Sequence, residues 1–414
     1  MRKMTFTFKI QKLLIYIAVF IFVYMSSGID SSYYSIMKVI MVCILGWFIL
    51  EEVHYLITMK QACIYFIAAS VFIIINYFNY SNTYLNLIAR MMNFIAVFIF
   101  CIHLQRCNIE LGKILEDTVI LIAIICAVFF LLINILHLNL PYSMKNGYMC
   151  RYYGLYNYVP TSLVNFGSIT VHRINGMFTE PGMYAVFLCL GIFQHISNNN
   201  DKKWQIILLY INLVFTFSAT GIIVGLILLG YMVVKNDRIK DIHIIIPCIP
   251  FFFYVAYYIV QSKRIGGKTY DLVNGGSYAA RYFDLVNGFK LFLSHPVLGV
   301  GYYNFDAFTN LENNYVNRVN SNGMINLLYM TGIIGFLVFF SPFIVNILKS
   351  RRRDRIKKLV YLVVIVFLNL SQPITFYPIM SLLIANEYAL WIWRKRMAVG
   401  GKNMFNIKRG KVSL

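Results

Sequence analysis

Thr118-Val119-Ile120-Leu121-Ile122-Ala123-Ile124-Ile125-Cys126-Ala127-Val128-Phe129-Phe130-Leu131-Leu132-Ile133 carries no charge and forms the heart of an apolar run over 117–137. A run of that length crosses a bilayer as a single helix. Similar runs recur from end to end of the 414 residues, centred on 11–27, 33–50, 61–78, 84–102, 181–196, 204–219, 221–235, 242–261, 324–347, 359–372 and 375–392. With 59% hydrophobic, 17% aromatic and 13% charged residues, against about 25% charged in a soluble domain, the chain reads as an all-α polytopic membrane protein with about twelve spans. Its mean hydropathy is +0.67. The first run, Gln11–Ser27, lacks a following small-residue cleavage site and reads as a retained span. Spans 204–219 and 221–235 meet in a very tight turn, and Ser371-Gln372-Pro373 reads as either a turn or a kink.

The net charge of +21 does not point to nucleic acid, because the cations sit in short loops and at the termini. With the N-terminus in the cytoplasm and alternating loops, 26 of the 37 Lys and Arg fall on the cytoplasmic side and nine on the outer side. Lys38 and Arg90 fall within spans. This bias places both termini inside, including a basic tail over 397–414. Two long loops, 138–180 and 262–323, then face outward, so chemistry is expected on the outer face of a cytoplasmic membrane. Of eight cysteines, six lie in spans, Cys107 in a short loop and Cys150 in a long one. They form no disulfide framework and no metal-ligand spacing.

In the first outer loop, Arg173-Ile174-Asn175-Gly176-Met177-Phe178-Thr179-Glu180-Pro181 sets a cation and a carboxylate seven residues apart where a polar loop meets an apolar helix. Arg173 suits phosphate oxygens through its planar fork, and the pair equally suits a clamp closing the loop on the helix. Glu180 reads as a helix N-terminal cap or as a base acting on a hydroxyl. Tyr142, Tyr148, Tyr152, Tyr153, Tyr156 and Tyr158 suit an interfacial belt or stacking on sugar rings. The second loop holds Arg281-Tyr282-Phe283 and an amphipathic stretch through Leu293 that suits a helix on the membrane surface. His295-Pro296-Val297-Leu298-Gly299-Val300-Gly301 then breaks it. His295 is a candidate base or a helix-end cap. The asparagines from Asn304 to Asn322 suit sugar hydroxyls or an ordinary polar loop. Ser218-Ala219-Thr220-Gly221 sets hydroxyls at the outer ends of two spans. Arg90 inside a span is costly and reads as functional or as snorkelling.

In order along the chain, these motifs resemble the O-antigen and capsular polysaccharide polymerase family (Wzy type), related to the O-antigen ligases. The matching positions are Arg173, Gly176, Phe178, Glu180 and Pro181; then Ser218–Gly221, with Ala219 where Arg is common. Arg281 and the 295–301 segment follow, and then Ser321-Asn322 ahead of Gly332 and Gly335. Ser321 stands where the ligases carry His. The resemblance covers about 165–340 by motif and otherwise rests on topology. It implies a bacterial inner-membrane glycosyltransferase passing a growing glycan from polyprenyl pyrophosphate to the next lipid-linked repeat unit. It implies Arg173 and Arg281 on the pyrophosphate, Glu180 or His295 as base, and Asn175, Ser218, Thr220 and Tyr282 on substrate. No metal or cofactor is implied. The implied partners are the lipid-linked oligosaccharide donor and acceptor, membrane lipid and a chain-length regulator. The rival readings are an O-antigen ligase, a flippase or transporter, and a membrane scaffold; no internal repeat of the kind transporters carry is visible.

Overall fold

The computed structural model describes residues 2–28, 32–56, 84–145, 148–166, 169–235, 276–311 and 319–399. The expected spans 61–78 and 242–261, parts of the second loop, nearly all of the basic tail and the side chain of Arg90 lie outside the described residues.

The described chain is mostly helical. Its helices are α1 (Arg2–Met25), α2 (Ser32–Leu56), α3 (Tyr84–Arg106), α4 (Leu111–Phe130, continued by a π-turn at Leu131–Ile135), α5 (Pro181–Ser197), α6 (Lys203–Phe215) and α7 (Ala219–Lys235). They continue as α8 (Gly276–Ser294), the single turn α9 (Asp306–Thr309), α10 (Gly323–Leu348), α11 (Arg352–Ser371) and α12 (Pro378–Val399). Tyr34–Glu52, Leu111–Ile135 and Gly323–Leu348 are long and apolar enough to cross a membrane. The 13 residues of α6 reach only about 20 Å, short of a bilayer's hydrocarbon core of about 30 Å.

The helix ends sort onto two faces. At one, Ile379 N donates to Ser26 Oγ (3.0 Å) and Thr179 N to Ser27 O (3.2 Å), joining the end of α1 to the starts of α5 and α12. At the other, Gln11 Nε2 donates to Glu51 Oε1 (2.9 Å), and Glu116 binds His195 Nδ1 (2.9 Å), Asn198 (2.7 Å) and Asn200 (2.7 Å). Glu116 and His195 are buried, so this network satisfies polar groups that would otherwise be costly. Gln372 is extended, and α11 and α12 both return to Asn346 of α10, one through Lys358 and the other through Glu387. The segment 371–377 is therefore a turn between two helices and not a kink.

The loop 138–180 departs from the all-α expectation. It contains β1 (Ser143–Lys145), β2 (Tyr148–Tyr153) and β3 (Tyr156–Tyr158) in one antiparallel sheet, and β4 (Leu163–Phe166) and β5 (Ile169–His172) in another. Arg151 pairs with Tyr158, and Val164 with Val171. β-branched and aromatic residues fit a pleated surface, and Asn146-Gly147 between β1 and β2 is a strong hairpin signal. Tyr153 and Tyr156 are buried against Phe129 of α4, with Tyr156 stacked at 5.9 Å, so these two rings belong to the core and to neither reading of the Tyr cluster. Tyr142 stays exposed, with the Arg151 guanidinium 5.0 Å from its ring centroid.

Helix α8 carries the expected exposed apolar stripe of Tyr282, Leu285, Phe289 and Leu293. Its other face runs along α10 in the same direction: Asp284 meets Ser321, Gly288 meets Ile325, and Gly299 meets Met330. The turn after α8 does not rest on a surface. It enters a break in α10 at Gly332 (φ 62°, ψ −168°). Val300 N donates to Tyr329 O (2.8 Å) and Gly301 N to Met330 O (3.0 Å), while Ile333 N donates to Pro296 O (2.9 Å) and Ile334 N to Val297 O (3.4 Å). Backbone groups released by the break are thus re-bonded within the protein, as a helix broken at membrane depth requires.

Candidate functional site

Two groups of residues assemble on the hairpin face. The first surrounds the end of α6. Ile174 N donates to Phe215 O (2.9 Å), and the Arg173 guanidinium donates from Nε to Thr216 O (2.8 Å) and from Nη2 to Phe217 O (3.3 Å). The last carbonyls of a helix lack intrahelical donors and carry partial negative charge, so a guanidinium there is stabilising. Gly176 (φ 61°) is required at its position, because a Cβ would lie 2.9 Å from the Tyr184 ring. Its carbonyl accepts from Asn157 N (2.7 Å), and Met177 and Phe178 are fully buried. The Arg-x-x-Gly-x-Phe pattern therefore plugs the hairpins onto the bundle.

Asn175 is buried, accepts from Ser162 Oγ at 3.5 Å, and has no partner for Nδ2 among the described residues. Ser218 Oγ accepts from Gly221 N (3.3 Å), capping α7, and Thr220 lies half-buried in the first turn of that helix. Removing this cap as Ser218→Ala is expected to lower thermal stability by about 1 kcal/mol. Function in the cell should be unchanged; a loss of function at full stability would instead place the hydroxyl on a ligand.

The second group surrounds the 371–377 turn. Arg281 Nη1 donates to Ser371 O (3.0 Å) at the end of α11. The next residue, Gln372, lies against Gly182, where a Cβ would meet its Nε2 at 2.3 Å, and its carbonyl lies against Gly323. Thr375 Oγ1 donates to Gly323 O (3.1 Å). Glu180 precedes Pro181, is exposed and makes no side-chain capping bond. Its charge is felt at Tyr377, whose phenol is pushed up by burial first and then by Glu180 and Tyr34.

Tyr377 lines a cavity of about 630 Å³ together with Tyr34, Tyr302, Tyr303, Phe305 and Phe376. The last four of these rings interlock at 4.8–5.7 Å between centroids. Asn93 and Ser381 add polar atoms to its wall. A cavity of this size, largely aromatic with a few convergent polar groups, has the character of a ligand pocket.

No protein-family model matches the chain, and no curated protein sequence does either.

His295 stands apart from both groups. It lies 14 residues beyond Arg281, about 21 Å along α8, at the mouth of the turn that fills the α10 break. Its Nδ1 is 2.9 Å from Ser294 Oγ and it is exposed. Tyr282 neighbours Arg281 in sequence but belongs to the exposed apolar stripe.

The second group also contains residues for which local sequence spacing offers no signal. Asp284 is buried on α8 and accepts from Ser321 N (2.9 Å) and Ser321 Oγ (2.6 Å). Ser321 is therefore held on a carboxylate 37 residues upstream. Asn320 and Asn322 are likewise structural: Asn320 donates to Asp284 O (2.9 Å) and Asn322 caps α10. Gln372 and Tyr377 follow Glu180 by almost half the chain. Among the described residues no group of three or more His, Cys, Asp and Glu is placed to hold a metal ion.

Proposed function

We propose that this chain is a polysaccharide polymerase of the bacterial cytoplasmic membrane. It crosses the membrane about twelve times with both termini inside and the hairpin face outward. It transfers a growing glycan from polyprenyl pyrophosphate to a hydroxyl of the next lipid-linked repeat unit. The observation that carries this reading is the 371–377 turn. One end receives the Arg281 guanidinium and the other sets Tyr377 on the wall of the aromatic cavity, within reach of the Glu180 charge.

In this reading the cavity holds sugar rings of the acceptor, whose C–H faces pack on aromatic rings. Glu180 takes the proton from the acceptor hydroxyl, and that oxygen attacks the anomeric carbon. The bond from carbon to the pyrophosphate oxygen breaks, and its electron pair leaves with the pyrophosphate. Arg281 stabilises the charge that builds there, and Arg173, seven residues before Glu180, supports it from the α6–α7 turn. Glu180 suits the base because its side chain is exposed and is not used as a helix cap. His295 is set aside as base because of its distance along α8 from Arg281.

The test is made in a strain lacking the protein, by separating the surface glycan on a gel. Restoring the wild type should turn single capped repeat units into a ladder. Loss of even the single unit without the protein would favour a ligase or flippase instead.

A further inference from the structure

On the face opposite the hairpins, three side chains from two helices stand in the order of a nucleophile, a base and an orienting carboxylate. Cys107 follows the last turn of α3, partly accessible, with Sγ 3.5 Å from His103 Nε2. The other ring nitrogen, Nδ1, is 2.8 Å from Glu52 Oε1 on α2. His103 and Glu52 are both fully buried, and the Phe48 ring lies 4.6 Å from the imidazole. A carboxylate on Nδ1 fixes the tautomer that leaves Nε2 able to accept a proton. Arg106 pairs with the same Glu52 oxygen and lies 3.3 Å from His103 Nδ1.

A purely structural network tying α2 to α3 accounts for Glu52, His103 and Arg106, but it does not require a thiol on the remaining ring nitrogen. Room for chemistry lies next to it. Gln105, Asn108 and Glu110, which flank Cys107 in sequence, line a cavity of about 360 Å³ on the same face, whose wall also carries Lys357, Lys358, Asp354 and Glu387; Cys107 itself is partly accessible outside that lining.

We propose that Cys107 is an activated nucleophile that undergoes thiol–disulfide exchange with small soluble disulfides. His103 is its base and Glu52 the residue positioning that base. His103 Nε2 takes the thiol proton. The thiolate attacks one sulfur of the disulfide, a Cys107–S–S–R bond forms, the original S–S bond breaks, and R–S⁻ departs and is protonated by His103. Cys107 is oxidised and the departing half of the disulfide is reduced. This inference rests on the geometry of the opposite face and stands whether or not the polymerase reading does.

The test uses full-length protein in lipid nanodiscs and dithiobis-nitrobenzoate, a disulfide bearing carboxylates. Thiolate release is read by absorbance and the labelled peptide by mass spectrometry. The expected result is a fast phase that maps to Cys107 and vanishes in Cys107→Ser. Its rate midpoint should lie below the pH of about 8.5 expected of a free thiol. His103→Gln should slow it by about tenfold or more at neutral pH. The same variant should match the wild type near pH ~10, where any thiol is ionised, which shows that Cys107 is still reachable. Glu52→Gln should raise the midpoint without changing the high-pH rate. A wild-type midpoint near that of a free thiol, or an unchanged rate in His103→Gln, overturns the proposal. If His103→Gln fails to accumulate, the wild-type pH profile decides alone.

Discussion

Replacing Arg281 by alanine is expected to lower polymerisation by about 10²–10³-fold, the usual cost of removing one donor from a developing negative charge. The surface glycan should collapse from a ladder to single repeat units while the protein still accumulates in the membrane. The competing role is visible in the structure, since Arg281 Nη1 donates to Ser371 O at the end of α11. If that were its whole contribution, the change would cost about 1 kcal/mol of stability and leave the ladder intact. Arg281→Lys separates the two roles further. Lysine keeps the charge and N–H donors on one nitrogen but not the planar fork that grips two phosphate oxygens. Activity should therefore fall between wild type and alanine, with abundance unchanged. A full ladder from Arg281→Ala at matched abundance would remove Arg281 from the proposed chemistry.

Gly332→Ala is expected to destabilise the protein by about 3–5 kcal/mol, combining backbone strain with the loss of hydrogen bonds across the break. At φ 62° and ψ −168° the backbone lies in a region essentially reserved for glycine. A Cβ would sit 2.2 Å from Val297 O and 2.4 Å from Val297 C, which are backbone atoms and cannot rotate aside. The turn would have to leave the break, stranding Tyr329 O and Met330 O from their donors. Thermal unfolding in detergent and steady-state abundance report the effect, and a melting temperature equal to wild type would show that the clasp is dispensable. Gly299, whose Cβ would meet Met330 C at 2.4 Å, should behave the same way from the opposite side of the contact.

The guanidinium groups of Arg173 and Arg281, the arginines assigned to the pyrophosphate, both sit at helix C-termini. Arg173 binds carbonyls at the end of α6 and Arg281 binds one at the end of α11. A structural role for each is thus explicit, which is why the first prediction is framed around abundance as well as product. The Tyr-rich loop divides in the same way: Tyr156 fills the core beside Phe129, while Tyr142 remains at the surface.

The helical character of the chain and its three helices long and apolar enough to cross a membrane were legible in the sequence. They follow from local hydrophobicity over windows of about 20 residues, and a bilayer or a packed bundle selects on that property. The break after α8 was equally legible, because Pro296, Gly299 and Gly301 act on their own backbone. The site around the 371–377 turn was only half legible. Glu180 and Arg281 stood out as charges in greasy surroundings. Gln372, Tyr377 and Asp284 did not, because their importance comes from what they touch: Gln372 meets Gly182, Tyr377 feels Glu180, and Asp284 holds Ser321. The hairpins of 143–172 were signalled by Asn146-Gly147 but masked by the aromatic composition. Only the tertiary structure decided that the turn after α8 fills a broken α10, and that Glu52 of α2 meets His103 beside Cys107. Both depend on helices that meet across the bundle, and such meetings are set by packing between elements that no local spacing encodes.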